Sequence, residues 1–281
     1  MVSDIEMLKV VGELVEQGQS LVLATVVAAR GSAPRGPGAR MAVFPDGRVL
    51  GTIGGGRLEE RVKAEAAAAL GHGRARKLMI DLGPELGMCC GGSVEVFVEP
   101  LRAAPRLVIF GGGHVSLPLA NLAHDVGFRV TVVDEREDYA SRERFPVVSE
   151  VLADDPLDVA RALELDGSEY LLVITHEHRI DEALLGALVG RPFRYLGLIG
   201  SRAKVQRFCQ RLLSQGVASG ELGRIHAPIG LDIGAETPQE IAVSVVAELI
   251  RVRSGAEDRL PEPLACRRGG TRASRVNPEG S

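Results

Sequence analysis

Tryptophan is absent and the aromatic fraction is only 4%, which argues against a base-stacking surface for nucleic acid. The four cysteines, Cys89, Cys90, Cys209 and Cys266, lack the paired CxxC spacing of a structural zinc site, so no metal ligands are assigned. A disulfide scaffold is equally out of place in a chain of 281 residues. No stretch approaches the ~20 consecutive apolar residues of a membrane span. Nor is there an excess of positive charge: 33 Lys and Arg against 37 Asp and Glu give a formal net charge of -4. Broad attraction to nucleic acid or anionic lipid is therefore not expected, and any phosphate contact must be local. The opening Met1-Val2-Ser3-Asp4 shows no basic segment followed by an apolar stretch, so a cytoplasmic protein without stable membrane insertion is expected.

What is present divides into two halves. Ile5, Leu8, Val11 and Leu14 fall at helical spacing behind Ser3 or Asp4, predicting an amphipathic helix over 4–18. Leu21 to Val27 predicts a strand, and Met41–Phe44 turning through Pro45-Asp46-Gly47 into Val49–Thr52 predicts a hairpin. An alanine-rich helix over 57–70 should end at Gly71 and Gly73. Strands return at Lys77–Asp81 and Ser93–Glu99, and Pro100 with Ala103-Ala104-Pro105 marks a joint. Beyond it, buried strands at 107–110, 129–133, 170–174 and 195–199 alternate with helices, the pattern of a parallel sheet covered on both faces. Thr237-Pro238-Gln239-Glu240 has the form of a capping box opening a last helix to about Val252. The expected architecture is α/β: a smaller N-terminal α+β domain over 1–103, a Rossmann-like parallel-sheet domain over 104–254, and a disordered tail over 255–281.

In the C-terminal half, Leu107-Val108-Ile109-Phe110 runs into Gly111-Gly112-Gly113-His114 and a helix start. Gly111 permits the turn, Gly113 allows close approach of a ligand, and the helix N-terminus offers unpaired amides to a pyrophosphate. The third fingerprint position holds Ser116. Asp134, about twenty residues on at the end of the next strand, is placed to accept ribose hydroxyls. Thr175-His176-Glu177-His178 and Gly200-Ser201-Arg202-Ala203-Lys204 should fall on the same sheet edge. There Ser201 caps its helix while Arg202 and Lys204 supply cations. Capping or loop hydrogen bonding competes with catalysis or metal binding for His176 and His178. These features motivate one functional reading, a free-standing NAD-dependent oxidoreductase, although no catalytic acid is evident.

The N-terminal half carries a loop with Arg30, Ser32, Arg35 and Arg40 among glycine and proline and no acidic residue. It suits either a guanidinium clamp for phosphate or an ordinary solvated loop. Gly54-Gly55-Gly56 repeats the strand, glycine run and helix start, and so offers a second set of amide donors. Cys90 precedes Gly91-Gly92, where a thiol near arginines is either a thiolate of lowered pKa or a small buried residue. The loops of both halves are expected to form one pocket for an anionic organic molecule.

Together, Arg30-Gly31-Ser32-Ala33-Pro34-Arg35, Gly51-Thr52-Ile53-Gly54-Gly55-Gly56 with Leu58-Glu59, Cys90-Gly91-Gly92, Gly111-Gly112-Gly113-His114-Val115, Thr175-His176, Gly197-Leu198-Ile199-Gly200-Ser201-Arg202 and Pro228-Ile229-Gly230-Leu231 carry a resemblance. The chain resembles the xanthine dehydrogenase accessory (XdhC/CoxI-type) family up to about Val252. The resemblance implies a maturation factor that binds the molybdenum cofactor (molybdopterin), assists its sulfuration and delivers it to an apo molybdenum hydroxylase. It also implies a cysteine desulfurase as sulfur donor and Cys90 as the contact to sulfur or molybdenum. NAD or another nucleotide stays open as the Rossmann ligand, and a homo-oligomer is compatible with such a chain.

Overall fold

The computed structural model describes residues 4–83 and 91–255. Helix α1 (Asp4–Glu16) leads into β1 (Leu21–Arg30), followed by β2 (Arg40–Val43), β3 (Val49–Gly51), α2 (Gly56–His72), β4 (Arg76–Asp81) and β5 (Ser93–Leu101). The strands form an antiparallel sheet in the order β3-β2-β1-β5-β4. One face packs on α2 through Leu58, Val62, Ala66 and Ala69, while α1 covers part of the other with Met7 and Val11. Strand β1 runs three residues beyond the predicted Val27, because a register shift between Val26 and Ala28 lets β1 stay paired with β5 as far as Arg30↔Ser93. Helix α2 continues through Gly71 and stops at Gly73, whose left-handed φ of 62° and amide bond to the Ala69 carbonyl make the C-cap.

Four residues, 102–105, join this unit to the second. There β6 (Arg106–Phe110), α3 (Ser116–Asp125), β7 (Arg129–Val133), β8 (Glu150–Leu152), α4 (Pro156–Ala162), β9 (Tyr170–Val173), α5 (His178–Leu188), β10 (Tyr195–Leu198), α6 (Arg202–Ser214), α7 (Ser219–Leu222), β11 (Ile225–His226) and α8 (Pro238–Ser254) follow in order. Every pairing is parallel, and the strand order is β11-β10-β9-β6-β7-β8. Strands β6 to β8 run outward one way and β9 to β11 the other, so the topological reversal lies between β6 and β9, the Rossmann arrangement. Helices α3 and α8 cover one face through Leu119, Ala123, Val245 and Leu249. Helices α4, α5 and α6 cover the other through Ala160, Leu184, Leu188 and Phe208. The capping box at Thr237 and Glu240 opens α8. The edge strands β8 and β11 have only three and two residues, too short to show a period in the sequence. The residues 256–281 of the expected tail lie outside the described residues.

The two units meet at the amino-terminal edge of the parallel sheet. Arg129, at the start of β7, donates Nη1 to the Gln17 carbonyl at 3.2 Å, and Ala103 N–H donates to Ser20 Oγ at 3.1 Å. A cleft of about 490 Å³ between the units is lined by Ser20, Pro45, Arg102, Arg106, Arg129 and Glu169, among others.

Candidate functional site

Two clusters of loops contain the residues singled out from the sequence. The first is at the outer end of β1. The backbone of Ser32 bridges Gly91, the residue that follows Cys90. Cys89, Cys90 and Cys266 themselves lie outside the described residues. Gly92 is demanded by this crossing: a Cβ there would stand 2.5 Å from both the Arg30 and Ser32 carbonyl oxygens. Pro34 sits on Gly54, where a Cβ would come within 2.5 Å of its Cγ. Arg30, Ser32 and Arg35 are exposed around this junction.

The glycine run that follows does not present the row of free amides expected of it. Glu59, in the first turn of α2, accepts Gly55 N–H at 2.9 Å, Ile53 N–H at 3.2 Å and Thr52 Oγ1–H at 2.5 Å. Gly54 N–H donates to Thr52 Oγ1 at 3.2 Å. Burial pushes the Glu59 carboxyl up, yet the donors from Thr52, Gly55 and Ile53 outweigh it and hold the group below its ordinary value. A carboxylate thus occupies the place proposed for an external anion, leaving Gly56 at the mouth of the run.

The second cluster is the carboxyl edge of the parallel sheet. Gly111, with φ of 115°, donates N–H to the Val133 carbonyl, and a Cβ on it would stand 2.4 Å from the Ile174 carbonyl oxygen. Gly112 is as tightly enclosed, by the Tyr139 carbonyl. Ser116 Oγ donates to the Gly111 carbonyl, so the serine at the third fingerprint position ties helix to turn by a hydrogen bond where glycine would do so by close packing. Arg144 reaches back over the turn, donating Nε to Gly112 O at 3.1 Å and Nη2 to Gly113 O at 3.3 Å. Gly113 has open space beside its Cα, and His114 is exposed.

Asp134 is buried at the end of β7. Burial raises its pKa, but hydrogen bonds from Arg136 and Gly112 more than compensate and hold the carboxyl below its ordinary value. Neighbouring Glu135 lies 3.9 Å from His176 Nε2, a pair that spans the edge above β6. Thr175 lies just before α5, whose N-cap is Glu177; its hydroxyl accepts Glu177 N–H at 3.3 Å and donates to Asp181 Oδ1 at 2.7 Å. Gly200, Ser201 and Arg202 follow β10; Ser201 Oγ accepts Lys204 N–H, and Arg202 is exposed, 4.0 Å from Asp232.

Lys204 differs from its expected role. Its ammonium is buried, donating to Asp181 Oδ2 at 2.7 Å and to the Ile199 carbonyl at 3.1 Å. It fastens the turns after β9 and β10 to each other instead of facing a ligand. Sequence reasoning also missed Glu248 of α8. This buried carboxylate accepts Tyr195 Oη–H at 2.6 Å and Gly230 N–H at 2.7 Å, and pairs with His226 Nδ1 at 3.0 Å. Burial pushes Glu248 up, but donation from His226 and Tyr195 wins and lowers it; burial pushes the Tyr195 phenol well above its ordinary value. With Ser244, whose Oγ donates to Leu231 O at 2.6 Å, Glu248 anchors the Pro228–Leu231 turn. That turn and Arg202 border a cleft of about 340 Å³. A second hollow, about 220 Å³, lies between Glu135, Leu157 and Ile180 on the other side of the topological reversal.

The clusters do not form the single pocket expected of them. The amino-terminal unit docks on the edge where β6 and β7 begin, and the glycine turns lie where those strands end. The arginine loop is at the far end of β1, whose ten residues span roughly 30 Å. Within one chain the two clusters therefore face opposite ways. Among the described residues, no group of three or more His, Cys, Asp or Glu is placed to hold a metal ion, and no helix is long and apolar enough to cross a membrane.

Comparison with known proteins gives this arrangement a family. The uncharacterized protein YqeB of Escherichia coli (strain K12) is 38% identical over 252 residues, covering 87% of this chain and 46% of YqeB. A protein of Bacillus subtilis (strain 168) described as a probable xanthine dehydrogenase subunit is 35% identical over 161 residues, 57% of this chain and 47% of that protein. The chain thus spans about half the length of these two relatives. The molybdenum cofactor insertion chaperone PaoD of Escherichia coli (strain K12) is 27% identical over 279 residues, covering 88% of this chain and 87% of PaoD. A crystal structure of a xanthine dehydrogenase from Bacillus halodurans aligns with 90% of this chain and 96% of its own, at a TM-score of 0.51 and 25% identity. Residues 107–249 match the model of the XdhC Rossmann domain, and residues 14–82 match that of the XdhC and CoxI family. With both halves matched, the chain belongs to the XdhC and CoxI family.

Proposed function

We propose that this protein is a maturation factor for molybdenum hydroxylases: it binds the molybdenum cofactor, assists its sulfuration and hands it to an apoenzyme of the xanthine dehydrogenase kind. The observation that carries this reading is the similarity to the insertion chaperone PaoD along nearly the full length of both chains. The chemistry of the outer loop cluster supports it. Exposed Arg30 and Arg35 flank the Ser32–Gly91 crossing, and guanidinium groups suit the phosphate of a pterin cofactor. Cys90, next in the chain to that crossing, is the residue assigned to sulfur or molybdenum, with a cysteine desulfurase as the sulfur source. The carboxyl edge of the Rossmann sheet, with Thr175, His176, Gly200, Ser201 and Arg202, is a separate ligand edge.

The test is transfer. Protein loaded with molybdenum cofactor should activate a purified apo hydroxylase in proportion to the cofactor supplied. The Cys90→Ser variant should still deliver cofactor but yield enzyme that needs chemical resulfuration. Loaded wild-type protein that gives no activation above free cofactor would contradict the reading.

A further inference from the structure

The number of donors around Asp134 bears on what the Rossmann edge selects. A carboxylate offers about four lone-pair sites. On Asp134, Oδ2 accepts Gly112 N–H at 2.8 Å and Arg136 Nη2–H at 2.8 Å; Oδ1 accepts Arg136 Nε–H at 2.8 Å and Arg136 backbone N–H at 3.1 Å. All four sites are filled, and the side chain is 3% exposed. The guanidinium that fills three-quarters of the shell with its own backbone amide is itself fixed, stacked 3.9 Å from the centre of the Tyr139 ring. Arg144 lies over the same ring at 5.3 Å and holds the carbonyls of Gly112 and Gly113. The segment after β7 therefore closes on the glycine turn from above.

A dinucleotide bound in the usual Rossmann manner places both hydroxyls of its adenosine ribose on an acid at this position. Here those hydroxyls would find no free acceptor unless the bidentate Arg136 pair, charged on both partners, gave way to single hydroxyl bonds charged on the carboxylate alone. We infer that Arg136 is the specificity-determining residue of this edge: by saturating Asp134 it excludes ligands that present a free ribose diol, NAD among them, and reserves the edge for ligands without one there. The exclusion deepens the cofactor-binding reading above, since a phosphorylated pterin carries no such diol, but it stands on the Asp134 geometry alone.

Calorimetric titration of the full-length protein with NAD and with ADP-ribose tests it. The wild type should show no saturable binding of either probe below about 1 mM, and Arg136→Ala should bind ADP-ribose at least about tenfold more tightly than the wild type. Arg136→Gln, which keeps one uncharged donor nitrogen on the side chain, should fall between them. Thermal unfolding of each variant checks that it is folded. Micromolar binding of NAD by the wild type would overturn the inference, as would a folded Arg136→Ala variant whose ADP-ribose affinity is unchanged. If neither variant folds, the wild-type titration decides by itself. Pterin retention measured on the same preparations is a separate readout: its failure counts against the maturation role and leaves the diol exclusion standing.

Discussion

Replacing Lys204 by methionine should be among the most damaging single changes in the Rossmann unit. The ammonium touches Asp181 Oδ2 and the Ile199 carbonyl, and the Asp181 side chain has no exposed surface. Methionine conserves the stem but removes the charge, so Asp181 keeps the hydrogen bonds from Thr175 N–H at 3.2 Å and Thr175 Oγ1–H at 2.7 Å, with His178 Nδ1 4.0 Å from Oδ2. Stranding one member of a buried ion pair costs about 3–5 kcal/mol. For a domain of this size each kcal/mol moves the midpoint by about 2–4 °C, so the loss should be roughly 6–20 °C in Tm. The double variant Asp181→Asn/Lys204→Met separates lost charge from lost packing. With no uncompensated charge left, it should regain at least about half of the lost stability, a coupling visible in a double-mutant cycle. Urea unfolding followed by circular dichroism measures all four corners. A single-variant loss below about 1 kcal/mol, or a double variant no more stable than Lys204→Met, would refute the argument, because burial and pairing would then not set the energy.

Particular contacts set three more expectations. Gly111→Ala should be strongly destabilised, since φ is 115° and the new Cβ would meet the Ile174 carbonyl at 2.4 Å; Gly113→Ala, with nothing within 4 Å, should stay within about 0.5 kcal/mol of wild type in the same melts. Thr237→Ala should cost about 1 kcal/mol by removing the hydroxyl that accepts Glu240 N–H at 3.2 Å, and Thr237→Ser should restore most of it. Acid sensitivity should come in part from Asp134 and Glu248, whose folded pKa values lie below their ordinary 3.8 and 4.5. The unfolded chain binds more protons than the native state there, so their stabilisation is complete above about pH 4.5 and lost as pH falls through the folded values. Glu248→Gln should flatten urea stability between pH 5 and 3.5 relative to wild type, and an unchanged slope would remove Glu248 from the account.

The local elements were legible where a short-range rule governed them. The capping box at Thr237, the glycine turn after Phe110 and the hairpin around Asp46 depend on residues within a few positions of one another. The parallel sheet was legible because strands buried on both faces read as apolar runs. Strands β8 and β11 escaped because two or three residues carry no period, and the register shift after Val26 leaves no mark in composition. The site was harder to read. Asp134 could be picked out as an acid at a strand end, but its four donors become countable only when Arg136 and Gly112 are in place. Asp181 and Lys204 are 23 residues apart, beyond any local pattern, and Glu59 takes the Gly55 amide while the Thr52 hydroxyl takes that of Gly54, two of the donors that made Gly54-Gly55-Gly56 look like a cradle. Loop chemistry also says nothing of which sheet edge the amino-terminal unit docks against. That choice separated two clusters expected to face each other.

Mass spectrometry of the small molecules released from gently purified protein, prepared from cells that make the molybdenum cofactor, addresses the maturation role head-on. A molybdopterin species should be recovered at a substantial fraction of one per chain and should fall sharply in an Arg30→Ala/Arg35→Ala variant that unfolds at the wild-type temperature. Recovery of a nicotinamide dinucleotide in its place, or of no pterin from protein competent to bind an apo hydroxylase, would contradict it.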